Sequence, residues 1–286
     1  MCDDDIHVGL IQDPTVSRRS FGLLGLAAGA IATGAVAQPN VEEKDVNVTT
    51  ADGTADAVLF YPKGKGSWPA VLIWTDILGL RPVFRDMGRR LAAQGYVVLV
   101  PNPFYRSAKA PVVSGTFDFN KPADRALVFG YRGKMTDPGI DTDSKAYLAF
   151  LDAQPQTNKK KKMGVQGYCM GGPLSYRTAA AVPGRIGAVG TFHGGGLVTN
   201  TDASPHRLVP KTKAAYVCAI AQNDDKSQPE AKDILKATFE HNKNPAIVEV
   251  YPADHGWCVK GSAVYNDAAA EKAWAELSKM YKARLA

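Results

Sequence analysis

The sequence predicts an α/β fold: a mostly parallel sheet with helices on both faces. Two observations carry this. Short continuous apolar runs recur along the chain, as expected of strands buried on both faces. Amphipathic stretches lie between most of them, and strands that alternate with helices imply parallel pairing. The bulk properties agree, because 286 residues with 45% hydrophobic and 22% charged side chains are enough to bury one large core without disulfides.

Along the chain, residues 45–61 read as a hairpin: Val46 and Val48 alternate with polar neighbours, and Ala51-Asp52-Gly53 supplies the turn. Residues 64–69 form a loop before the apolar run Ala70–Trp74. Further strands are expected at 97–100, 163–166, 186–191, 215–220 and 246–251. The helical stretches are 84–94, 142–153, 174–181, 231–241 and 268–285. Residues 106–139 are less regular and read as an insertion or lid.

The N-terminus reads as an address. Ser17-Arg18-Arg19-Ser20-Phe21 resembles the twin-arginine export signal, residues 22–36 are mildly apolar, and Ala35-Val36-Ala37 fits a cleavage site. The expectation is a signal peptide over 1–37 and a single domain over 38–286, placed in the periplasm or secreted, with no stable membrane association after cleavage. The net charge of +6 becomes +8 once that segment is removed, since it holds Asp3, Asp4, Asp5 and Asp13 against Arg18 and Arg19. Such a surface attracts anions. The basic run Lys159-Lys160-Lys161-Lys162 reads as a solvated loop, and nothing interleaves bases with aromatics as a nucleic-acid partner requires. Cys169, Cys218 and Cys258 remain in the mature chain, and their spacing fits no zinc site.

The chemistry is concentrated in Gly167-Tyr168-Cys169-Met170-Gly171-Gly172, between an expected strand and an expected helix. This is a G-x-C-x-G nucleophile elbow with cysteine in place of serine. The sharp turn lifts the side chain above the sheet, and the helix N-terminus behind it offers free N–H groups and a partial positive charge that favour thiolate and oxyanion. In this arrangement the order is nucleophile, acid, histidine. Asp224 and Asp225 come after the strand at 215–220, and His255 comes after the strand at 246–251. His206 and His241 read as solvated. His193, in Phe192-His193-Gly194-Gly195-Gly196, imitates an oxyanion motif but stands after the nucleophile strand rather than before it; loop geometry and a place in the pocket both stay open.

With these residues placed, the chain resembles the dienelactone hydrolase family, the carboxymethylenebutenolidases, over most of its length. Trp74-Thr75-Asp76-Ile77-Leu78-Gly79 resembles the family's strand-end motif Q-E-I-F-G, and Pro101-Asn102-Pro103-Phe104-Tyr105-Arg106 resembles P-D-L-Y-x-R. Gly167-Tyr168-Cys169-Met170-Gly171-Gly172 matches G-Y-C-x-G-G. Ala221-Gln222-Asn223-Asp224 resembles the acid loop G-x-x-D, which favours Asp224 over Asp225. Tyr251-Pro252-Ala253-Asp254-His255-Gly256-Trp257 resembles the histidine loop Y-x-x-A-x-H-x-F.

The resemblance implies an α/β-hydrolase fold and a triad of Cys169, Asp224 and His255, with the backbone N–H groups of Ile77 and Met170 as oxyanion hole. It places Asp76 where the family has a glutamate that touches the thiol, Arg106 where an arginine grips the substrate carboxylate, and Trp257 beside the histidine. The chain departs from the pattern twice: Asp76 is one methylene shorter than glutamate, and no arginine comes after the histidine, where Cys258-Val259-Lys260 stands. The implied activity is hydrolysis of a small ester or lactone, anionic in the family, through a thioester and without metal or organic cofactor. Two other readings stay open at this point: a redox thiol with Cys258 as resolving partner of Cys169, and a non-catalytic binding protein on the same fold.

Overall fold

The structure, a computed structural model, describes residues 40–285; the expected twin-arginine signal lies outside them. All eight strands of the described residues join one sheet in the order β1-β2-β4-β3-β5-β6-β7-β8. The hairpin strands β1 (Val41–Thr50) and β2 (Gly53–Pro62) pair antiparallel, and β2 is antiparallel to β4 (Val97–Pro101). From β4 onward β3 (Ala70–Trp74), β5 (Met163–Tyr168), β6 (Ile186–Phe192), β7 (Ala215–Ala221) and β8 (Ala246–Tyr251) run parallel. The apolar runs of the sequence are these strands, and every residue of β3, β4 and β5 is buried.

Helices cover both faces. α1 (Pro82–Ala93) lies on one, where Phe84, Met87 and Leu91 share a core with Tyr168, Phe192 and Trp274. The opposite face is covered by α3 (Asp137–Ala153) and α4 (Gly171–Ala181), whose Tyr147, Leu148, Leu174 and Tyr176 pack with Leu72, Val165 and Val189. The segment expected to be irregular holds α2 (Pro122–Gly133), and α3 starts at Asp137 rather than at 142. Proline in the first turn opens both helices, where its missing N–H costs nothing, and Thr136 caps α3 by accepting from Gly139 N at 3.2 Å. Two short helices come next, α5 (Pro205–Leu208) and α6 (Gln222–Ser227), the second in the acid loop. α7 (Ala231–Asn242) and α8 (Asp267–Leu285) complete the layers. Among the described residues no helix is long and apolar enough to cross a membrane.

Parallel strands leave their carboxyl ends on one edge, where ligands of open α/β sheets bind. The loops after β3, β5, β7 and β8 carry Ile77, Cys169, Asp224 and His255 respectively.

Candidate active site

Cys169 sits between β5 and α4 with φ of 52°, a left-handed backbone that a non-glycine residue adopts only when its surroundings hold it. Its N–H donates to Phe192 O at 3.0 Å, and its carbonyl accepts from Gly172 N at 3.0 Å. The glycines make the turn possible. A Cβ on Gly167 would stand 1.9 Å from Gly171 O, and one on Gly171 would stand 2.6 Å from Trp74 O. The elbow and the end of β3 are thus in backbone contact, which brings the loop of Ile77 against the helix start at Met170. Among the described residues neither of those two backbone N–H groups donates to another group.

His255 reaches the same place from the loop after β8. Its N–H is fixed by Asn223 Oδ1 at 2.8 Å, and its Nδ1 lies 3.0 and 2.9 Å from the two oxygens of Asp224. Nε2 is buried and has no hydrogen-bond partner among the described residues. Burial opposes a charge on this imidazole, but the Cys169 sulfur and the Asp224 carboxylate outweigh it and raise its pKa well above the usual histidine value. Asp225 points elsewhere, to Lys232 Nζ at 2.7 Å.

Cys169, Met170, Ile77, Asp224 and His255 all line one cavity of about 190 Å³. Its other walls include Phe129 and Arg132 of α2, Pro173 of α4, the Gly194-Gly195-Gly196-Leu197 loop, and Lys232 and Leu235 of α7. No pattern in the sequence points to Phe129, Arg132 or Lys232, because the insertion and α7 carry no motif; only the helical period of 231–241 is readable.

Four residues that the sequence singled out are absent from the lining of this cavity. Arg106 does not line the cavity. Its guanidinium is divided between Asp143 (2.6 and 2.8 Å) and Asp52 (2.9 and 2.6 Å), so two carboxylates already occupy its donors and tie the hairpin turn to α3. Asp76 is fully buried, and its two oxygens accept from Arg81 at 2.5 and 2.7 Å. One of them also accepts from Leu78 N at 3.0 Å, so this aspartate shapes the loop that presents Ile77 rather than meeting the thiol. His193 and Trp257 are fully buried behind the site: the His193 ring meets His255 edge-on at 4.7 Å, and Trp257 stands 6.3 Å from His193 and stacks on Tyr251. Cys258 belongs to the core on the other face of the sheet from Cys169, with its thiol pushed well above the usual range by burial. Among the described residues Cys169, Cys218 and Cys258 are all free.

The family profile of the dienelactone hydrolases matches residues 55–285, which includes every residue of this cavity. The chain belongs to the dienelactone hydrolase family. It is 29% identical over 220 residues to a carboxymethylenebutenolidase of Pseudomonas sp., covering 76% of this chain and 86% of that one. To carboxymethylenebutenolidase 1 of Cupriavidus pinatubonensis it is 27% identical over 225 residues, covering 78% and 90%. The crystal structure of a dienelactone hydrolase from Anabaena variabilis shares the fold, with a TM-score of 0.62 at 16% identity over 86% of this chain and all of that one. A dienelactone hydrolase-like promiscuous phosphotriesterase from metagenomic libraries shares it with a TM-score of 0.69 at 20% identity, again over 86% of this chain and all of the other. The protein is therefore a hydrolase of α/β-hydrolase fold.

Proposed function

We propose that this dienelactone hydrolase homologue opens a small carboxylic ester or lactone with Cys169 as nucleophile, through a thioester. The observation that carries the reading is the convergence of Cys169, the Asp224–His255 pair and two free backbone N–H groups on one cavity. His255, held by Asp224, takes the thiol proton at Nε2. The thiolate attacks the carbonyl carbon, and the oxygen that gains the electron pair is met by the N–H groups of Ile77 and Met170. Collapse breaks the C–O bond, and the leaving oxygen takes the proton from His255. Water then attacks the thioester with His255 as base, releasing the acid and restoring the thiol. The related proteins named above as carboxymethylenebutenolidases support the substrate class.

The test is a panel of aryl esters and lactones run on the parent, Cys169→Ala and His255→Ala. Cys169→Ala is expected to hydrolyse none of them. His255→Ala is expected to lose roughly 10²–10⁴-fold in rate, the usual worth of a general base. An alanine variant at 169 that retains more than a few per cent of parental turnover sinks the cysteine mechanism.

A further inference from the structure

We infer that Arg132, on the helix α2, is the specificity-determining residue of this site and reads a carboxylate carried by the substrate. The inference rests on the reading of the cavity as an ester or lactone hydrolase site.

Two cations line the cavity, Arg132 and Lys232. Lys232 is already paired, its Nζ lying 2.7 Å from Asp225. The two carboxylates of the wall are likewise engaged, Asp225 with Lys232 and Asp224 with His255. Arg132 is different. Its one hydrogen bond runs from Nη1 to Met135 O at 3.2 Å, and no carboxylate among the described residues stands within ion-pair distance. Most other arginines of the described chain, Arg81, Arg106, Arg177 and Arg185 among them, are bound to aspartates. Half-buried Arg132, which lines the same cavity as Phe129, Pro173 and Leu235, therefore has most of its planar fork without a protein partner among the described residues. Two parallel charge-assisted bonds to a carboxylate are the interaction that this fork is shaped for. Arg106, the arginine that the sequence offered for this task, already has four of its five N–H donors on Asp52 and Asp143 and lies outside the cavity lining.

The test compares matched aryl esters of glutaric acid, one with the free terminal carboxylate and one with that group as its methyl ester. The parent is expected to favour the free acid through KM. Arg132→Met should lose on the order of 10- to 100-fold in kcat/KM for the acid, carried by KM, the range expected when a bond to a charged partner is removed. Its kcat/KM for the methyl ester should stay within about two-fold of the parent. Arg132→Lys, which keeps the charge without the fork, should fall between. An equal fall on both esters, or no fall on the acid, overturns the assignment. Should the parent hydrolyse neither ester, the hydrolase reading fails by itself and the alkylation of Cys169 decides on Arg132. The rate with iodoacetate relative to iodoacetamide, read on the Cys169 peptide by mass spectrometry, then falls several-fold in Arg132→Met if the anion is read, and an unchanged ratio overturns the proposal.

Discussion

His193 holds two ring nitrogens in the core with no hydrogen-bond partner for either among the described residues, on a backbone at φ of 40°. Burial, and next the neighbouring His255, keep its pKa well below the usual value, so it is neutral in the folded protein. In the unfolded chain it protonates near pH 6.5. The unfolded state therefore binds one more proton below that pH, and stability present above it is lost as the pH falls. The neighbouring His255 has the opposite sign: its raised pKa leaves it protonated in both states at acid pH, and its contribution is lost only as the pH rises above 6.5. As the pH falls below 6.5 the contribution of His255 fades, and the slope from these two groups becomes that of His193, approaching about 1.4 kcal/mol per pH unit. Urea unfolding at a series of pH values below 6.5 should show a slope smaller by up to one proton in His193→Phe than in the parent, whatever constant cost the bulky residue adds at this backbone; His206, whose pKa burial also lowers, contributes equally to both. Identical slopes would mean that His193 titrates in the folded state. At this scale the sequence was legible where a motif fixes the residue, as for Cys169 and His255. It was misleading where a partner outside the motif decides, because Asp143 lies 37 residues from Arg106 and nothing in the pattern joins Asp76 to Arg81.

Helix α2 buries one residue, Val128, whereas α4 buries seven, Leu174, Tyr176 and Ala179 among them. A helix held by so little apolar contact opens locally at small cost. Amide exchange monitored by mass spectrometry should therefore run at least about ten-fold faster across residues 122–133 than across 171–181, at conditions where the sheet is protected. Equal protection would show α2 to be an integral part of the core and no lid. The same thin packing explains why α2 was hidden in the sequence. Ala126, Leu127, Val128 and Phe129 are consecutive rather than spaced at the helical period, and glycines at 130 and 133 interrupt the rest of the helix. The strands were readable for the converse reason: burial on both faces leaves no polar alternation, so β3, β4 and β5 stand out as unbroken runs. α6 escaped because six polar residues with none buried carry no period at all.

The molecule is one sheet between two cores, and its candidate site is assembled from loops after four strands, so the sheet's register fixes how Cys169, Asp224 and His255 stand to one another. The elbow strand is tied to the outer layer by a buried polar chain: Tyr281 of α8 donates to Gln166 Oε1 at 3.1 Å, and Gln166 Nε2 donates to Tyr168 OH at 2.8 Å. All three side chains are at most 2% exposed, so water cannot replace a lost bond. Tyr281→Phe preserves the packing and leaves Gln166 Oε1 without that donor in a dry core. The expected cost is about 1–3 kcal/mol, the penalty for an unsatisfied buried polar group, read as a lower urea midpoint. The link lies on the face of α1 and α8, while Cys169 belongs to the core of the other face. Because β5 is paired on both sides by β3 and β6, its register should survive the change. Hydrolysis of a neutral aryl ester at 25 °C should then stay within about two-fold of the parent, since loss of stability alone leaves nearly all molecules folded there. A variant that keeps its urea midpoint but loses activity would reverse this division, and would make the Tyr281–Gln166–Tyr168 chain a support of the elbow rather than of the fold.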